Sequence, residues 1–280
     1  MRPSTLGIIG LGAIGGSVAR QAKQAGIATV LGWSPDQAER TAAVQQRAVD
    51  DAPAESAAVA RAADLLILAA PPAANLHLLE TLSPLVRRDG LITDVGSVKR
   101  GIVARAEALG VAVRFAGSHP LAGTHEHGFE ASRGNLFTGA VVYVTPARGG
   151  DGAATAVRHF WETVLGARAV VVDATTHDIQ MAVTSHLPQV IASLLGRYLA
   201  EHTPPGTTLG PGAKDTTRLA ASEPGLWTEI LLMNRDVLLP ALRSLEEPLG
   251  ELERALENGD APTVSAWLAR ASEWRRRIGP

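Results

Sequence analysis

The sequence predicts an α/β fold in which a doubly wound sheet is followed by an all-helical part. Two observations support this prediction. Short apolar runs alternate with helix-like segments as far as Val172, and from Thr175 onward no strand pattern recurs while long apolar helices follow. Alternation of this kind is typical of a parallel sheet covered by helices. We therefore expect two domains, at residues 1–172 and 173–280.

The first part contains seven strand-like and six helix-like segments. The predicted strands are 6–9, 28–32, 65–69, 91–95, 113–116, 140–145 and 170–172, and the predicted helices are 14–24, 36–47, 57–63, 75–85, 99–109 and 153–165. The run 65–69 is continuously apolar, which is typical of a strand buried on both faces of a parallel sheet. The order strand, helix, strand therefore predicts a doubly wound sheet.

The second part is predicted to consist of three long helices, 179–202, 223–249 with Pro240 interrupting, and 261–277. The first of these carries apolar residues on more than one stripe, so we expect it to be buried on several sides. Pro188 follows His186 in this helix, and a proline inside a helix predicts a kink at that point.

Composition narrows the class of function. The chain has 280 residues, 46% of them hydrophobic, which is enough for a sizeable core. Its formal charge is −2 without blocks of like charge, so we expect a small-molecule partner rather than nucleic acid or a membrane. The absence of cysteine excludes disulfides, thiolate nucleophiles and cysteine-bound zinc. The N-terminus reaches a predicted strand too soon for a signal peptide, which predicts a cytoplasmic location.

A glycine motif, Gly10-Leu11-Gly12-Ala13-Ile14-Gly15, lies between the first predicted strand and the first helix. In a dinucleotide site of the Rossmann type, the first glycine permits a tight turn, the second admits a pyrophosphate, and the third allows close packing of helix on strand. The strand before and the helix after are the context that this motif requires. We predict that Gly10, Gly12, Ile14 and Gly15 bind NAD or NADP.

The end of the second predicted strand bears on the choice of cofactor. A site that prefers NAD usually has Asp or Glu there, whereas this chain has Ser34. Serine does not repel a 2′-phosphate, and either Asp36 or Arg40 could decide the preference. The sequence therefore leaves NAD and NADP open.

Ligands of doubly wound sheets bind beyond the carboxyl ends of the strands, which here carry Pro71, Gly96 and His119. We predict Pro71 and Gly96 as cofactor contacts. An imidazole titrates near neutral pH, so His119 is a candidate acceptor for a hydroxyl proton, although a histidine in a turn can also be purely structural. Ser97 is expected either to donate to His119 or to cap the helix that begins near Lys99.

The chain resembles the prephenate and arogenate dehydrogenases of tyrosine biosynthesis. The resemblance covers nearly the whole sequence and rests on several motifs in order: the glycine motif, Asp94-Val95-Gly96-Ser97-Val98-Lys99, the segment 117–139, Ser185-His186-Leu187-Pro188, the segment 214–220, Trp227, and Asn234-Arg235-Asp236. It implies NAD(P)-dependent oxidative decarboxylation of prephenate to 4-hydroxyphenylpyruvate by a homodimer joined through its helical domain. The alternatives are arogenate as substrate, or another two-domain dehydrogenase for hydroxy acids or imines. A dinucleotide-sensing protein without turnover is the third possibility.

The resemblance also implies roles for individual residues. His119 would bond the ring hydroxyl with Ser97 as its support, Arg218 would anchor the ring carboxylate, His186 would contact the substrate side chain, Asp215 would orient the segment of Arg218, and Thr124 would lie in the substrate site.

One stretch departs from the family pattern. Members often have an acidic residue two positions after Gly123, where this chain has His125, and the acid Glu126 is shifted by one. Some arogenate-preferring members also lack that acid, so the departure weakens any claim for prephenate alone. Together with His119 and His127 these side chains could be interpreted as metal ligands. We predict no metal, because neighbouring side chains of an extended segment point to opposite sides.

Overall fold

The computed structural model describes residues 2–123 and 126–278. Its strands are β1 (Thr5–Ile9), β2 (Thr29–Trp33), β3 (Leu65–Leu68), β4 (Leu91–Asp94), β5 (Ala116–Pro120), β6 (Val141–Pro146) and β7 (Arg168–Val171). The helices of the first part are α1 (Ala13–Gln24), α2 (Gln37–Gln45), α3 (Ser56–Ala62), α4 (Pro72–Leu82), α5 (Arg100–Ala108) and α6 (Asp151–Thr163). Later come α7 (Ala174–Met181), α8 (Leu187–His202), α9 (Pro211–Thr217), α10 (Pro224–Met233), α11 (Arg235–Arg243), α12 (Glu246–Glu257) and α13 (Ala261–Arg277).

The strands form two sheets. The first is fully parallel in the order β2-β1-β3-β4, which confirms the Rossmann-like arrangement. The second has the order β5-β6-β7, with β5 antiparallel to β6 and β6 parallel to β7. A parallel bridge between Ile92 and Phe115 connects the two.

His119 lies within β5 rather than in a loop beyond it, and this differs from the prediction. Residues 112–114, which overlap the predicted strand 113–116, form a 3₁₀ turn. The strand begins at Ala116 and continues because its backbone pairs with β6, where His119 lies opposite Tyr143. A single strand pattern could not reveal this pairing, because the partner lies more than twenty residues further along the chain.

Both faces of the parallel sheet are covered. Ile8 and Ile67 belong to one buried apolar layer, whereas Ile9, Leu66 and Leu68 belong to another. Because successive side chains of a strand point to opposite faces, this alternation accounts for the continuous apolar runs in the sequence. The resulting two-sided core holds the carboxyl ends of β1, β3 and β4 in a fixed arrangement.

The helix predicted at 179–202 is interrupted. The chain passes from α7 through a π-helical turn, Ala182–His186, into α8. Pro188 lies in the first turn of α8, directly after the π-helical turn, and its missing N–H cannot donate back into that turn. The predicted disturbance near His186 therefore takes the form of a π-helical turn.

The expectation that this region is buried on several sides is wrong for the single chain. Ile179, Val183, Leu194 and Tyr198 are 48%, 54%, 62% and 57% exposed. These four residues, which we call the α7–α8 stripe, form an apolar set of which the described part of the chain leaves about half the surface exposed.

The helix predicted at 223–249 is divided into α10, α11 and α12. The first break falls at Asn234, whereas Pro240 lies inside α11. One compact unit ends at Asn234 and another begins at Arg235.

Among the residues that the structure describes, no helix has the length and apolar character needed to cross a membrane.

Candidate active site

The turn between β1 and α1 requires glycine at two positions. Gly10 has a φ of +103°, and a Cβ there would lie 2.5 Å from the carbonyl oxygen of Ala69. A Cβ on Gly15 would lie 1.8 Å from the carbonyl oxygen of Gly10. The two glycines therefore allow α1 to start directly above the neighbouring strand.

Gly12 has a different environment. It is the N-cap residue of α1 and provides no side-chain cap, and the first turn, which includes Ile14, contains no acidic residue. A Cβ on Gly12 would meet nothing within 4 Å. The positive end of a twelve-residue helix thus opens into free space, which suits the pyrophosphate of a dinucleotide.

The end of β2 presents a hydroxyl and a carboxylate. The buried Ser34 donates to Oε2 of Glu39 over 2.5 Å and accepts from the backbone N–H of Asp36 over 3.2 Å. Nη1 of Arg40 donates to the Ser34 carbonyl over 2.5 Å. Glu39 was not among the predicted site residues, because this acid lies in α2 instead of at the end of the strand. Its carboxylate reaches the end of β2 by accepting the hydrogen bond from the Ser34 hydroxyl.

Pro71 and Gly96 follow β3 and β4, which are hydrogen-bonded neighbours, so both lie at one edge of the sheet. Pro71 is the N-cap residue of α4. Gly96 is buried, and its backbone N–H donates to Oδ2 of Asp94 over 2.8 Å. The structure therefore places both predicted contacts at the edge where the glycine motif opens.

A buried ion pair holds β5 beside this edge. Nζ of Lys99 donates to Oδ2 of Asp94 over 2.5 Å and to the carbonyl of Ser118 over 2.8 Å. Burial lowers the pKa of Lys99, and the attraction of Asp94 opposes this effect. Because Ser118 precedes His119, the ion pair fixes the part of β5 that carries the histidine.

His119 is 8% exposed, and its Nδ1 lies 2.9 Å from Nε2 of His177. Burial lowers the pKa of His119 well below 6.5, and the neighbouring His177, Lys99 and His186 lower it further. The ring is therefore neutral at neutral pH. Within residues 2–123 and 126–278, its Nε2 has no hydrogen-bond partner.

Two further buried side chains, His177 and Asp178, were not among the predicted site residues. Nδ1 of His177 lies 2.8 Å from Oδ1 of Asp178, and both side chains are buried. Burial alone would raise the pKa of Asp178, but hydrogen bonds from His177 and from the backbone N–H groups of Arg100 and Lys99 lower it. Asp178 is thus ionised. In the sequence, the feature that could have indicated these two residues is the dipeptide His177-Asp178 on the first helix after β7.

Asp178 also occupies the capping position at the start of α5 that was one of the two predicted roles of Ser97. Its carboxylate accepts from the backbone N–H groups of Lys99 and Arg100 over 2.8 and 3.0 Å. Ser97 is partly exposed, and in the described part of the chain its hydroxyl makes no hydrogen bond. Neither the cap nor the bond to His119 is thus present for Ser97.

His186 ends the π-helical turn and is buried. Its Nδ1 lies 3.1 Å from Nδ2 of Asn234, while its Nε2 is buried and has no partner among the described residues. Burial lowers the pKa of His186 to about 4. Since the Asn234 amide nitrogen can only donate, the ring proton of His186 belongs on Nε2.

Among the described residues, no hydrogen bond or ion pair connects Arg218 or Asp215 with His119. Both are exposed, and in the described residues neither forms an ion pair. Their segment packs beside α8, where Nε2 of Gln189 donates to the carbonyl of Leu219 over 2.8 Å. The structure does not bring Arg218 into contact with the imidazoles within one chain.

The segment after Gly123 is only partly described. Thr124 and His125 lie outside the described residues, so the role of Thr124 in the substrate site stays a prediction. Glu126 pairs with Arg133 over 3.4 Å at the surface. Within the described residues no group of three His, Cys, Asp or Glu side chains is arranged to hold a metal ion.

Two family models match the chain. The nucleotide-binding domain of prephenate dehydrogenase matches residues 18–171, and its dimerization domain matches residues 173–270. The chain belongs to the prephenate dehydrogenase family. It is therefore an oxidoreductase that uses a nicotinamide dinucleotide, in agreement with the predicted fold, enzyme class and cofactor.

Individual members of the prephenate dehydrogenase family are similar over almost the full chain. The prephenate dehydrogenase of Lactococcus lactis is 32% identical over 97% of this chain and 76% of its own. The structure of A. aeolicus prephenate dehydrogenase with hydroxyphenyl propionate and NAD+ has a TM-score of 0.90 and 29% identity, covering 98% of both chains. Synechocystis arogenate dehydrogenase has a TM-score of 0.83 and 28% identity, covering 98% of this chain and 99% of that one.

Proposed function

We propose that this protein is a prephenate dehydrogenase that converts prephenate to 4-hydroxyphenylpyruvate with NAD. The observation that carries the proposal is His119, a buried neutral imidazole whose Nε2 is free of partners within the described residues. It lies on β5, next to the sheet edge that presents the glycine motif. A proton acceptor beside a dinucleotide site is what oxidation of an alcohol requires.

The reaction follows from these positions. The bound dinucleotide supplies the acceptor for the hydride of the ring carbon that carries the hydroxyl. Nε2 of His119 accepts the hydroxyl proton as the C–O bond becomes a carbonyl. The new ketone is conjugated with the two ring double bonds that adjoin the carbon bearing the carboxylate. The C–C bond to that carboxylate can therefore break, and its electron pair enters the ring. Carbon dioxide leaves, the oxygen takes up a proton, and the phenol that results is aromatic.

Two further side chains suit the anionic substrate. The Nε2–H of His186 is a buried donor without a described partner, and a substrate oxygen would satisfy it. Arg218 carries a guanidinium without an ion pair in the described residues, and its two parallel N–H groups fit a planar carboxylate. We assign the substrate side chain to His186 and the ring carboxylate to Arg218, with Asp215, Thr124 and Ser97 as neighbouring contacts.

Arogenate is the second candidate substrate. The similarity to Synechocystis arogenate dehydrogenase and the presence of His125 in place of an acid favour it. The test is turnover of the purified protein with prephenate or arogenate, each with NAD or NADP. We expect the highest kcat/KM with prephenate and NAD. A higher kcat/KM with arogenate reverses the assignment, and turnover of neither substrate contradicts the proposal.

The preference for NAD rests on Glu39. Its carboxylate, bound to Ser34, places negative charge at the end of β2, where the 2′-phosphate of NADP would come. Glu39→Gln removes that charge, and we expect the ratio of kcat/KM for NADP to that for NAD to rise about tenfold. Glu162→Gln on the exposed face of α6 is the control and should leave the ratio unchanged. An unchanged ratio in Glu39→Gln contradicts the assignment.

The two parts of the chain have different proposed functions. We assign dinucleotide binding to residues 1–172 and substrate binding and self-association to residues 173–280. The dimerization-domain match and the exposed α7–α8 stripe support a homodimer. A cytoplasmic location and the absence of nucleic-acid partners stay predictions.

A further inference from the structure

We propose that Asp178, Arg100 and Asn234 form a buried cluster that sets opposite tautomers in two histidines, making His119 a proton acceptor and His186 a hydrogen-bond donor. The use of these tautomers in turnover rests on the proposed function, whereas the tautomers themselves follow from the hydrogen bonds.

The acceptor role of His119 follows from the hydrogen bonds that link Asp178, His177 and His119. Asp178 is ionised and can only accept, so Nδ1 of His177, 2.8 Å away, carries a proton and donates. Burial lowers the pKa of His177, which keeps its Nε2 unprotonated. Nδ1 of His119, 2.9 Å from that nitrogen, must then donate. The only proton of the neutral His119 ring is thus on Nδ1, and its Nε2 is left with a lone pair.

The donor role of His186 follows from the orientation of the Asn234 side-chain amide. Nη2 of Arg100 donates to Oδ1 of Asn234 over 2.9 Å, and Nδ2 of Asn234 donates to the backbone carbonyl of Asp178 over 2.8 Å. Both partners exclude the flipped amide, because a guanidinium cannot accept and a carbonyl cannot donate. Nδ2 of Asn234 therefore also donates to Nδ1 of His186, and the His186 proton lies on Nε2.

Arg100 connects the two arrangements. Its Nε donates to Oδ2 of Asp178 over 3.2 Å, while its Nη2 holds Asn234. One guanidinium thus orients the carboxylate that acts through His177 and the amide that acts on His186. Its backbone N–H also donates to Asp178, so the cluster is attached to the start of α5.

The π-helical turn accounts for the meeting of these groups. Nine positions separate His177 from His186, which in an uninterrupted α-helix at about 100° per residue would place them on opposite sides. The π-helical turn takes up one extra residue and so turns His186 back by about 100°. His186 thereby comes within reach of Asn234, which also bonds the carbonyl of Asp178.

The first test is the tautomer of His119. In protein labelled with ¹⁵N-histidine, NMR distinguishes a protonated ring nitrogen from a bare one, and we expect a bare Nε2 in the wild type at neutral pH. In Asp178→Asn one oxygen remains, and we expect it at the Oδ2 position, where the backbone N–H and the Nε of Arg100 both donate. The amide NH₂ then takes the Oδ1 position, gives up the hydrogen bond from the Lys99 N–H and donates to Nδ1 of His177, which reverses both rings. We expect His119 to become protonated on Nε2. A wild-type His119 with the proton on Nε2 overturns the proposal.

The matched control is Asp173→Asn. Asp173 caps the same helix, α7, but its carboxylate accepts from the backbone N–H of Thr176. Its contact with His177 is a backbone hydrogen bond, from the His177 N–H to the Asp173 carbonyl, which the substitution retains. Asparagine is an equally good cap, so we expect neither tautomer nor kcat to change. A His119 tautomer that changes in Asp173→Asn as it does in Asp178→Asn would show that helix stability rather than the cluster governs the ring.

Kinetics give the second readout. We expect Asp178→Asn to lower kcat by about 10²- to 10⁴-fold, with a KM for prephenate within about threefold of the wild type, because a wrong tautomer removes the acceptor without removing a contact. If that variant does not fold, His177→Gln and His177→Leu replace it. Glutamine can still accept from Nδ1 of His119 and leucine cannot, so kcat should be higher in His177→Gln. Equal kcat values in these two variants, or an unaltered kcat in Asp178→Asn, overturn the claim that the cluster controls the proton acceptor during turnover.

Asn234→Leu tests the donor half. Leucine has a similar size but offers nothing to Nδ1 of His186, so we expect that ring to lose its fixed Nε2 proton and the KM for prephenate to rise about tenfold. An unchanged His186 spectrum overturns this half. The NMR results stand without any substrate. Failure of prephenate turnover with the expected tautomers thus counts against the proposed function alone, and wrong tautomers in a protein that turns over prephenate count against the cluster alone.

Discussion

At the scale of single residues, the properties of His119 come from what surrounds it. Burial keeps the imidazole neutral, and His177 occupies Nδ1, so the free lone pair is on Nε2. In its proposed role as general base, His119 needs no prior loss of a proton at neutral pH. The residue is therefore ready to accept a hydroxyl proton.

Replacing this base gives the first prediction at the residue scale. His119→Asn keeps a polar group beside His177 but removes the acceptor, so we expect kcat with prephenate to fall by about 10²- to 10⁴-fold with little change in KM. His159→Asn, an exposed histidine on α6, should retain wild-type kcat. Steady-state kinetics of the two variants test this prediction. A wild-type kcat in His119→Asn would refute the role of His119 as the proton acceptor.

The sequence identified some of these residues and not others. His119, His186 and the glycine motif could be predicted because their types and local context indicate chemistry. His177 and Asp178 could not, because their function depends on a contact between α7 and β5, fifty-eight positions apart for the two imidazoles. Only the folded chain shows that α7 supplies the partner of His119.

At the scale of elements, the start of α1 separates a glycine needed for the fold from one kept for a ligand. A Cβ on Gly15 would clash with the backbone of Gly10, whereas a Cβ on Gly12 would point into open space. Packing thus explains Gly15 and leaves Gly12 without a structural reason. A bound pyrophosphate supplies that reason.

Gly12→Ala tests this distinction. We expect a melting temperature within about 2 °C of the wild type, because Gly12 already has an extended conformation that alanine adopts. The Kd for NAD should rise at least about tenfold, since the methyl group takes the space of the pyrophosphate. Gly152→Ala, an unobstructed glycine on α6, serves as the control. Calorimetric titration that finds unchanged NAD affinity would contradict this interpretation.

Element boundaries show where sequence patterns stop being informative. The alternation of strands and helices in the first part could be predicted from the sequence, because each buried strand appears there as a short apolar run. The π-helical turn was not, because its extra residue leaves no mark in the apolar periodicity. Pro188 indicated only that the helix would be disturbed near His186.

At the scale of the whole molecule, the α7–α8 stripe exposes large apolar side chains that a stable chain usually covers. It falls within the part matched by the dimerization-domain model, residues 173–270. Burial of such side chains contributes about 25 cal/mol per Å² of apolar surface. A second copy of the chain that covers the stripe would therefore gain appreciable stability.

Leu194→Glu tests whether the stripe is the dimer contact. A buried charge would oppose association, so we expect a monomer with an unchanged circular dichroism spectrum. Val113→Glu is the control, because Val113 is 68% exposed and lies outside the dimerization-domain match. Analytical ultracentrifugation should find this control dimeric. A Leu194→Glu variant that remains as dimeric as the wild type would exclude the stripe.

The most direct measurement of function follows two products together. Purified wild-type protein is given prephenate and NAD, and reduced cofactor and carbon dioxide are quantified over the same time course. We expect equal amounts of the two, because the ketone formed beside His119 loses its carboxylate as the ring becomes aromatic. Reduced cofactor without carbon dioxide would contradict oxidative decarboxylation as the reaction of this site.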